Sequence, residues 1–179
     1  SDEKIELEDL LNTEDIEVGA ELGKGAFGTV NEGLYQKVMR VAIKKVSAEH
    51  LTDAATMLDI VNENRRLAKC DSPFVTRCIG TAREMEGGRA LLIVLELCNL
   101  GDLKGHTNDG QWKILKGSNM CPVPHGEMIS ITLHVLLGLA YVHGKKMVHR
   151  DIAARNIMLK TDKGIVVAKL ADLGMSREM

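Results

Sequence analysis

Gly23, Gly25 and Gly28 stand between two β-prone runs, Ile16 to Leu22 and Thr29 to Tyr35, and no other feature constrains the fold so much. A dinucleotide-binding fold would open a helix after the third glycine, whereas here a strand follows. A glycine loop between two strands lets backbone amides approach phosphates without side-chain obstruction. Taken alone, a plain hairpin turn accounts for the same glycines equally well.

A third β-prone run, Val38 to Val46, completes three antiparallel strands. Thr52 to Lys69 follows without proline or glycine, with Leu58, Val61, Arg65 and Ala68 at helical spacing and Thr52 as an N-cap, which predicts one helix. Phe74 to Ala82 and Arg89 to Leu97 predict a hairpin whose second arm is apolar enough to be buried on both faces. Beyond Gly101 the composition shifts to Gly, Asn and Pro, and residues 104 to 125 read as a loop-rich insertion containing Trp112 and Cys121. Gly105 and Gly110 weaken any helix there.

Glu127 to His143 carries Ile129, Leu133, Leu136 and Ala140 on one face with Leu139 and Val142 beside it, the pattern of a core helix enclosed on most sides. Ser130, Thr132, His134 and Gly138 interrupt it, and it is short for a bilayer, which needs about 20 apolar residues. A polar loop from His149 to Asn156 then leads into two short strands, Ile157 to Lys160 and Val166 to Ala171.

Composition removes several alternatives. With 45% hydrophobic and 27% charged residues the chain can bury a core, and a formal charge of -2 supplies no basic field for nucleic acid or an anionic membrane. Cys70, Cys78, Cys98 and Cys121 are widely spaced and read as reduced thiols. The acidic N-terminus has no apolar core of the kind a signal peptide carries.

The chemistry-bearing residues are more specific. Lys44 lies on an apolar strand, where an inward ammonium needs an anion, and Glu63 on the following helix is the natural counter-charge. A solvent-facing lysine like Lys45 and a merely solvated glutamate are the plainer readings of each residue alone. His149-Arg150-Asp151 and Asn156 put a carboxylate and an amide five residues apart on one loop, as a base and a metal ligand acting on one phosphoryl group require. Asp172, in Asp172-Leu173-Gly174, adds a second acidic ligand candidate at a strand end.

These residues, in this order and on these elements, resemble the protein kinase signature set. The resemblance covers Ile16 to Arg177, nearly the whole chain. It implies an α+β, protein kinase-like fold: a five-stranded antiparallel N-lobe with one helix in the αC position, plus an incomplete helical C-lobe. Residues 1–15 would form an acidic N-terminal extension, 16–97 the N-lobe, and 98–179 the hinge and a partial C-lobe. By the same resemblance Gly23, Gly25 and Gly28 would cover the phosphates of ATP, Lys44 would contact the α and β phosphates, and Glu63 would hold Lys44. Leu22, Val30, Ala42 and Met158 would sandwich the adenine, with Leu95 as gatekeeper and Glu96 and Cys98 at the adenine edge. Asp151 would deprotonate the acceptor hydroxyl, Arg155 would serve beside it, and Asn156 and Asp172 would bind Mg2+.

Ala153-Ala154-Arg155-Asn156 resembles the tyrosine kinases, not the Lys-x-x-Asn of serine/threonine kinases, so a tyrosine on a protein is the implied acceptor. Small-molecule kinases share the ATP architecture but not this loop. The resemblance implies a cytoplasmic setting, in a cytosolic kinase or the intracellular part of a receptor, and leaves membrane association and oligomeric state open. Leu173 replaces the usual phenylalanine, which implies a changed balance of active and inactive states. The family continues past Met179 with an activation loop, an Ala-Pro-Glu motif and further helices. The expectation is therefore a truncated, catalytically impaired chain in which Arg150 lacks its phosphorylated partner and the 128–142 helix has uncovered apolar faces. A non-catalytic nucleotide-binding or interaction module is the alternative.

Overall fold

The computed structural model describes residues 11–25, 28–47, 51–52, 54–84, 90–107, 125–162, 164–173 and 177–178. Expectations for residues 1–10, the 85–89 turn, Gly174, and the insertion from 108 to 124 with Trp112 and Cys121 lie outside the described residues. The chain divides into two compact units, one of residues 1–69 with 77–97 and one of 70–76 with 98–179. A division drawn at residue 97 alone would leave 70–76 in the wrong unit: Thr76 N–H donates to the Leu170 carbonyl at 2.8 Å and Leu170 N–H to the Phe74 carbonyl at 2.8 Å.

The first unit is a five-stranded antiparallel sheet with one long helix. Its strands are β1 (Ile16–Gly25), β2 (Gly28–Tyr35), β3 (Met39–Val46), β4 (Cys78–Glu84) and β5 (Ala90–Glu96), in the order β1-β2-β3-β5-β4. The fourth strand starts later than the apolar run from Phe74 suggests, because Val75 forms only an isolated bridge, with Leu170. Alternation along β3 sends Val41 and Ile43 to one face, where they pack with Ala82, Leu92 and Val94. On the other face Val46, Leu91 and Ile93 meet Ile60 of helix α1 (Ala54–Ala68). The buried face of α1 is Ile60, Val61, Asn64 and Leu67, while Leu58 is exposed. The helical spacing was right; of the four residues that carried it, Val61 is buried while Leu58 and Ala68 are exposed.

The second unit packs helix α3 (His125–Gly144) on a three-stranded sheet of β6 (Gly101–Asp102), β8 (Ile157–Asp162) and β9 (Ile165–Leu170). The insertion expected to begin at residue 104 instead starts as a short helix, α2 (Leu103–Thr107). Asp102 Oδ1 accepts the Gly105 N–H at 2.9 Å, an N-terminal cap that offsets the cost of the glycine. A short strand β7 (Met147–Val148) pairs with β10 (Arg177–Glu178).

Helix α3 corrects a second expectation. Its buried side is Ile131, Gly138 and Val142, and Ile131 packs with the half-buried Val135 and Leu139 on Ile157, Leu159, Ala168 and Leu170. Ile129, Leu133 and Leu136 are exposed, as is Ala140. The helix is therefore not enclosed, and the expected uncovered apolar faces are present. Gly138 makes the packing possible: a Cβ there would sit 2.7 Å from the Phe74 carbonyl oxygen. Gly126–Gly144 passes as a membrane span by length and composition only.

Candidate functional site

In the first unit, sheet register decides which side chains share a face. Gly23 pairs with Val30, Val30 with Lys44, and Ala42 with Leu95. Cross-strand partners project to the same side, and positions two apart along a strand do so too. Gly23, Val30, Ala42, Lys44 and Leu95 therefore lie on one face, the one that carries α1. Leu22 and Gly25 are exposed on β1, and Glu96 is half-buried at the end of β5.

Lys44 Nζ lies 3.3 Å from Glu63 Oε1 and 3.3 Å from Oε2. The pair joins a central strand to the helix, with the glutamate almost wholly buried, so it presents a fixed cation on the sheet face. The three glycines differ in what they need. Gly28 has φ +150, and a Cβ there would fall 2.0 Å from the Lys45 carbonyl oxygen. Gly23 would meet nothing within 4 Å and Gly25 only the Gly28 oxygen at 3.9 Å. Packing thus demands glycine at 28 alone, a distinction that the spacing of the motif does not carry.

In the second unit the loop between β7 and β8 gathers its polar groups around Asp151. Arg155 Nη2 donates to Asp151 Oδ1 at 2.8 Å and Oδ2 at 3.0 Å. Asn156 Nδ2 donates to Asp151 Oδ2 at 2.8 Å and to the Asp151 backbone carbonyl at 2.9 Å. A 3-10 turn at Ala154–Asn156 brings the amide back over the carboxylate, closed by Asn156 N–H on the Ala153 carbonyl at 2.9 Å.

His149, which sequence reasoning left without a role, is the buried post of this loop. Its Nε2 is 3.1 Å from the Ala171 carbonyl, and Asp151 N–H donates to its Nδ1 at 3.4 Å. Those partners make Nε2 the donor and Nδ1 the acceptor. Its burial at 1% exposure was not legible in a polar stretch. Ala171 N–H also donates to the Asn156 carbonyl at 2.9 Å, which ties the chain entering Asp172 to Asn156. Asp172 is exposed with φ +60, Arg150 is exposed with φ +68, and Leu173 is fully buried. Left-handed backbone at two non-glycine residues is strain of the kind found at functional loops.

Cys98 is buried and Met158 half-buried on β8 opposite Asp102. Among the described residues no three His, Cys, Asp or Glu side chains cluster as a metal cage. Asn156 and Asp172 nonetheless fit Mg2+, which takes oxygen donors and commonly needs only one or two from protein when phosphates supply the rest. With Nδ2 turned to Asp151, the amide oxygen is the Asn156 atom left for a cation. Cys70, Cys78 and Cys98 are not joined in disulfides. Burial raises the Cys70 thiol pKa more than the nearby Lys145 lowers it, so this thiol stays protonated.

A family model described as protein tyrosine and serine/threonine kinase matches residues 16–179. The chain is 32% identical over 175 residues to the insulin-like growth factor 1 receptor of Bos taurus, which covers 93% of this chain and 26% of that protein. Identity is 31% over 170 residues to the insulin-like growth factor 1 receptor of Xenopus laevis, across 93% of this chain and 12% of the relative. It is 31% over 172 residues to the insulin receptor-related protein of Homo sapiens, across 93% of this chain and 13% of the relative. The chain thus spans about a quarter or less of the length of these relatives.

Proposed function

The chain belongs to the protein tyrosine and serine/threonine kinase family, on its tyrosine branch, and from this we propose that it transfers the γ-phosphoryl group of ATP to a tyrosine hydroxyl of a protein. The observation that carries the reading is the cluster on one tight loop, in which Arg155 and Asn156 both bind the Asp151 carboxylate. Asp151 accepts the proton of the tyrosine hydroxyl as that oxygen attacks the phosphorus. Arg155 holds the carboxylate in place, and Asn156 fixes the side-chain rotamer from the other side. Lys44, steadied by Glu63, binds the α and β phosphates, and Gly23 and Gly25 leave their backbone open to them. Leu22, Val30, Ala42, Leu95 and Met158 contact the adenine faces, with Glu96 and Cys98 at its edge. Mg2+, held by Asn156 and Asp172, supplies neutralising charge to the phosphates when bound.

A second reading, a module that binds nucleotide without turnover, is favoured by one observation: both Asp151 oxygens are already engaged by Arg155 and Asn156. Phosphate transfer from ATP to a random Glu-Tyr copolymer separates the two readings. Transfer that is lost in Asp151→Asn, with MgATP binding intact, supports the kinase. Tight MgATP binding with no transfer by the parent chain leaves the binding module.

A further inference from the structure

Leu11 to Asp15 precede the stretch matched by the family model, which begins at Ile16, yet they are fastened to the first unit at three points. Leu11 N–H donates to the Thr81 carbonyl at 2.6 Å, and Thr81 lies on β4, the edge strand of the sheet. The Leu11 side chain lies over Gly80, where a Cβ would meet Leu11 Cγ at 2.8 Å and Cδ2 at 2.9 Å. Gly80 has φ +158, and the β4–β5 register slips between Cys78 and Gly80, so a bulge without a side chain makes room for a leucine from another segment. Finally, the 3-10 turn at Thr13–Asp15, capped by Asn12, offers the Asp15 carbonyl to Gln36 N–H at 2.7 Å, at the β2–β3 turn.

The consequence lies on β3. Leu11 packs on the cluster of Val41, Ile43, Ala82, Leu92 and Val94. Ile43 and Lys44 are adjacent on one strand and so face opposite sides of the sheet. Leu11 therefore supports from behind the strand that presents Lys44 in front.

We propose that Leu11–Asp15 is a latch through which chain upstream of the kinase domain sets the stiffness of β3, and with it the hold on Lys44. Released from Gly80, Leu11 no longer covers the cluster to which Ile43 belongs, and the strand breathes more freely. The effect on nucleotide binding rests on the proposed role of Lys44; the latch itself does not.

The test measures amide hydrogen exchange and MgATP affinity on the full chain, its Leu11→Ala variant and its Leu11→Met variant. Leu11→Ala is expected to speed exchange at Gln36 and along β3 at least tenfold and to weaken MgATP binding threefold or more, with Leu11→Met close to the parent. Unprotected Leu11 and Gln36 amides in the parent chain would overturn the latch. So would a Leu11→Ala variant that frees Gln36 while leaving β3 exchange unchanged. Faster β3 exchange with unaltered MgATP affinity would support the latch and count against Lys44 as a phosphate ligand. Should Leu11→Ala fail to fold, Leu11→Val carries the same comparison.

Discussion

Lys44 Nζ is equidistant, at 3.3 Å, from the two carboxylate oxygens of Glu63. The fork holds the ammonium at a fixed height on the sheet face, so under the proposed function the lysine would meet a phosphate already ordered. Lys44→Met should weaken MgATP binding about tenfold or more, which is ~1.4 kcal/mol or more. Glu63→Gln, which keeps the shape and removes the charge, should give a smaller loss. Titration calorimetry checks both, and an unchanged affinity in Lys44→Met would remove this residue from the site.

The glycines make a second, separable pair of expectations. Gly28→Ala drives a Cβ against the Lys45 carbonyl and forces a strained φ, and should cost about 3 kcal/mol of stability. Gly23→Ala meets open space and should change stability by no more than about 1 kcal/mol. Urea unfolding of the two variants decides the matter, with near-equal midpoints as the contrary result.

His134 gives a pH dependence with a definite sign. Its Nδ1 accepts the Ala168 N–H at 3.3 Å, its ring stacks on Phe74 at 5.0 Å, and burial lowers its pKa. A depressed folded value means the unfolded chain takes up the proton first on acidification. The stabilisation is complete above the unfolded value of about 6.5 and is lost progressively as pH falls below it and through the folded value. The unfolding midpoint of the parent should therefore drop more between pH 7.5 and pH 5 than that of His134→Gln, whose amide oxygen can still accept a hydrogen bond. Equal drops would count against the assignment.

The β2–β3 turn is built against local preference. Gln36 and Lys37 have φ +51 and +60, with Val38 N–H closing the turn on the Tyr35 carbonyl at 3.3 Å. Two consecutive left-handed residues suit Asn-Gly, and side chains here are strained. Lys37→Gly should stabilise the chain by about 0.5–1 kcal/mol, visible as a higher melting temperature. A lower one would show that Lys37 makes contacts worth more than the strain.

Much of the fold was legible because its signals are local. Three β-prone runs around glycines, a proline-free helical stretch and an apolar hairpin arm predicted the five strands and the helix. The polar loop from His149 to Asn156 stood out because a carboxylate, an arginine and an amide occur within six residues. Their hydrogen bonds needed only a tight turn to form, so the grouping of Asp151, Arg155 and Asn156 follows from short sequence separation.

Faces and supports were not legible. Helix α3 carries apolar residues on more than one side, so no periodicity could choose between Ile129-Leu133-Leu136 and Ile131-Val135-Leu139; packing on β8 and β9 chose the second. His149 as a buried post and Leu11 over Gly80 likewise depend on residues brought together from elsewhere in the chain.

The sequence by itself determined the order of elements and the residue types that carry charge to the loops, because turn preference and side-chain period act over a few neighbours. Only the tertiary structure decided which glycine is compulsory, which face of α3 is buried and how Lys44 is held from both sides of its sheet. Those are matters of close approach between segments distant along the chain, and burial is decided by what comes to lie opposite.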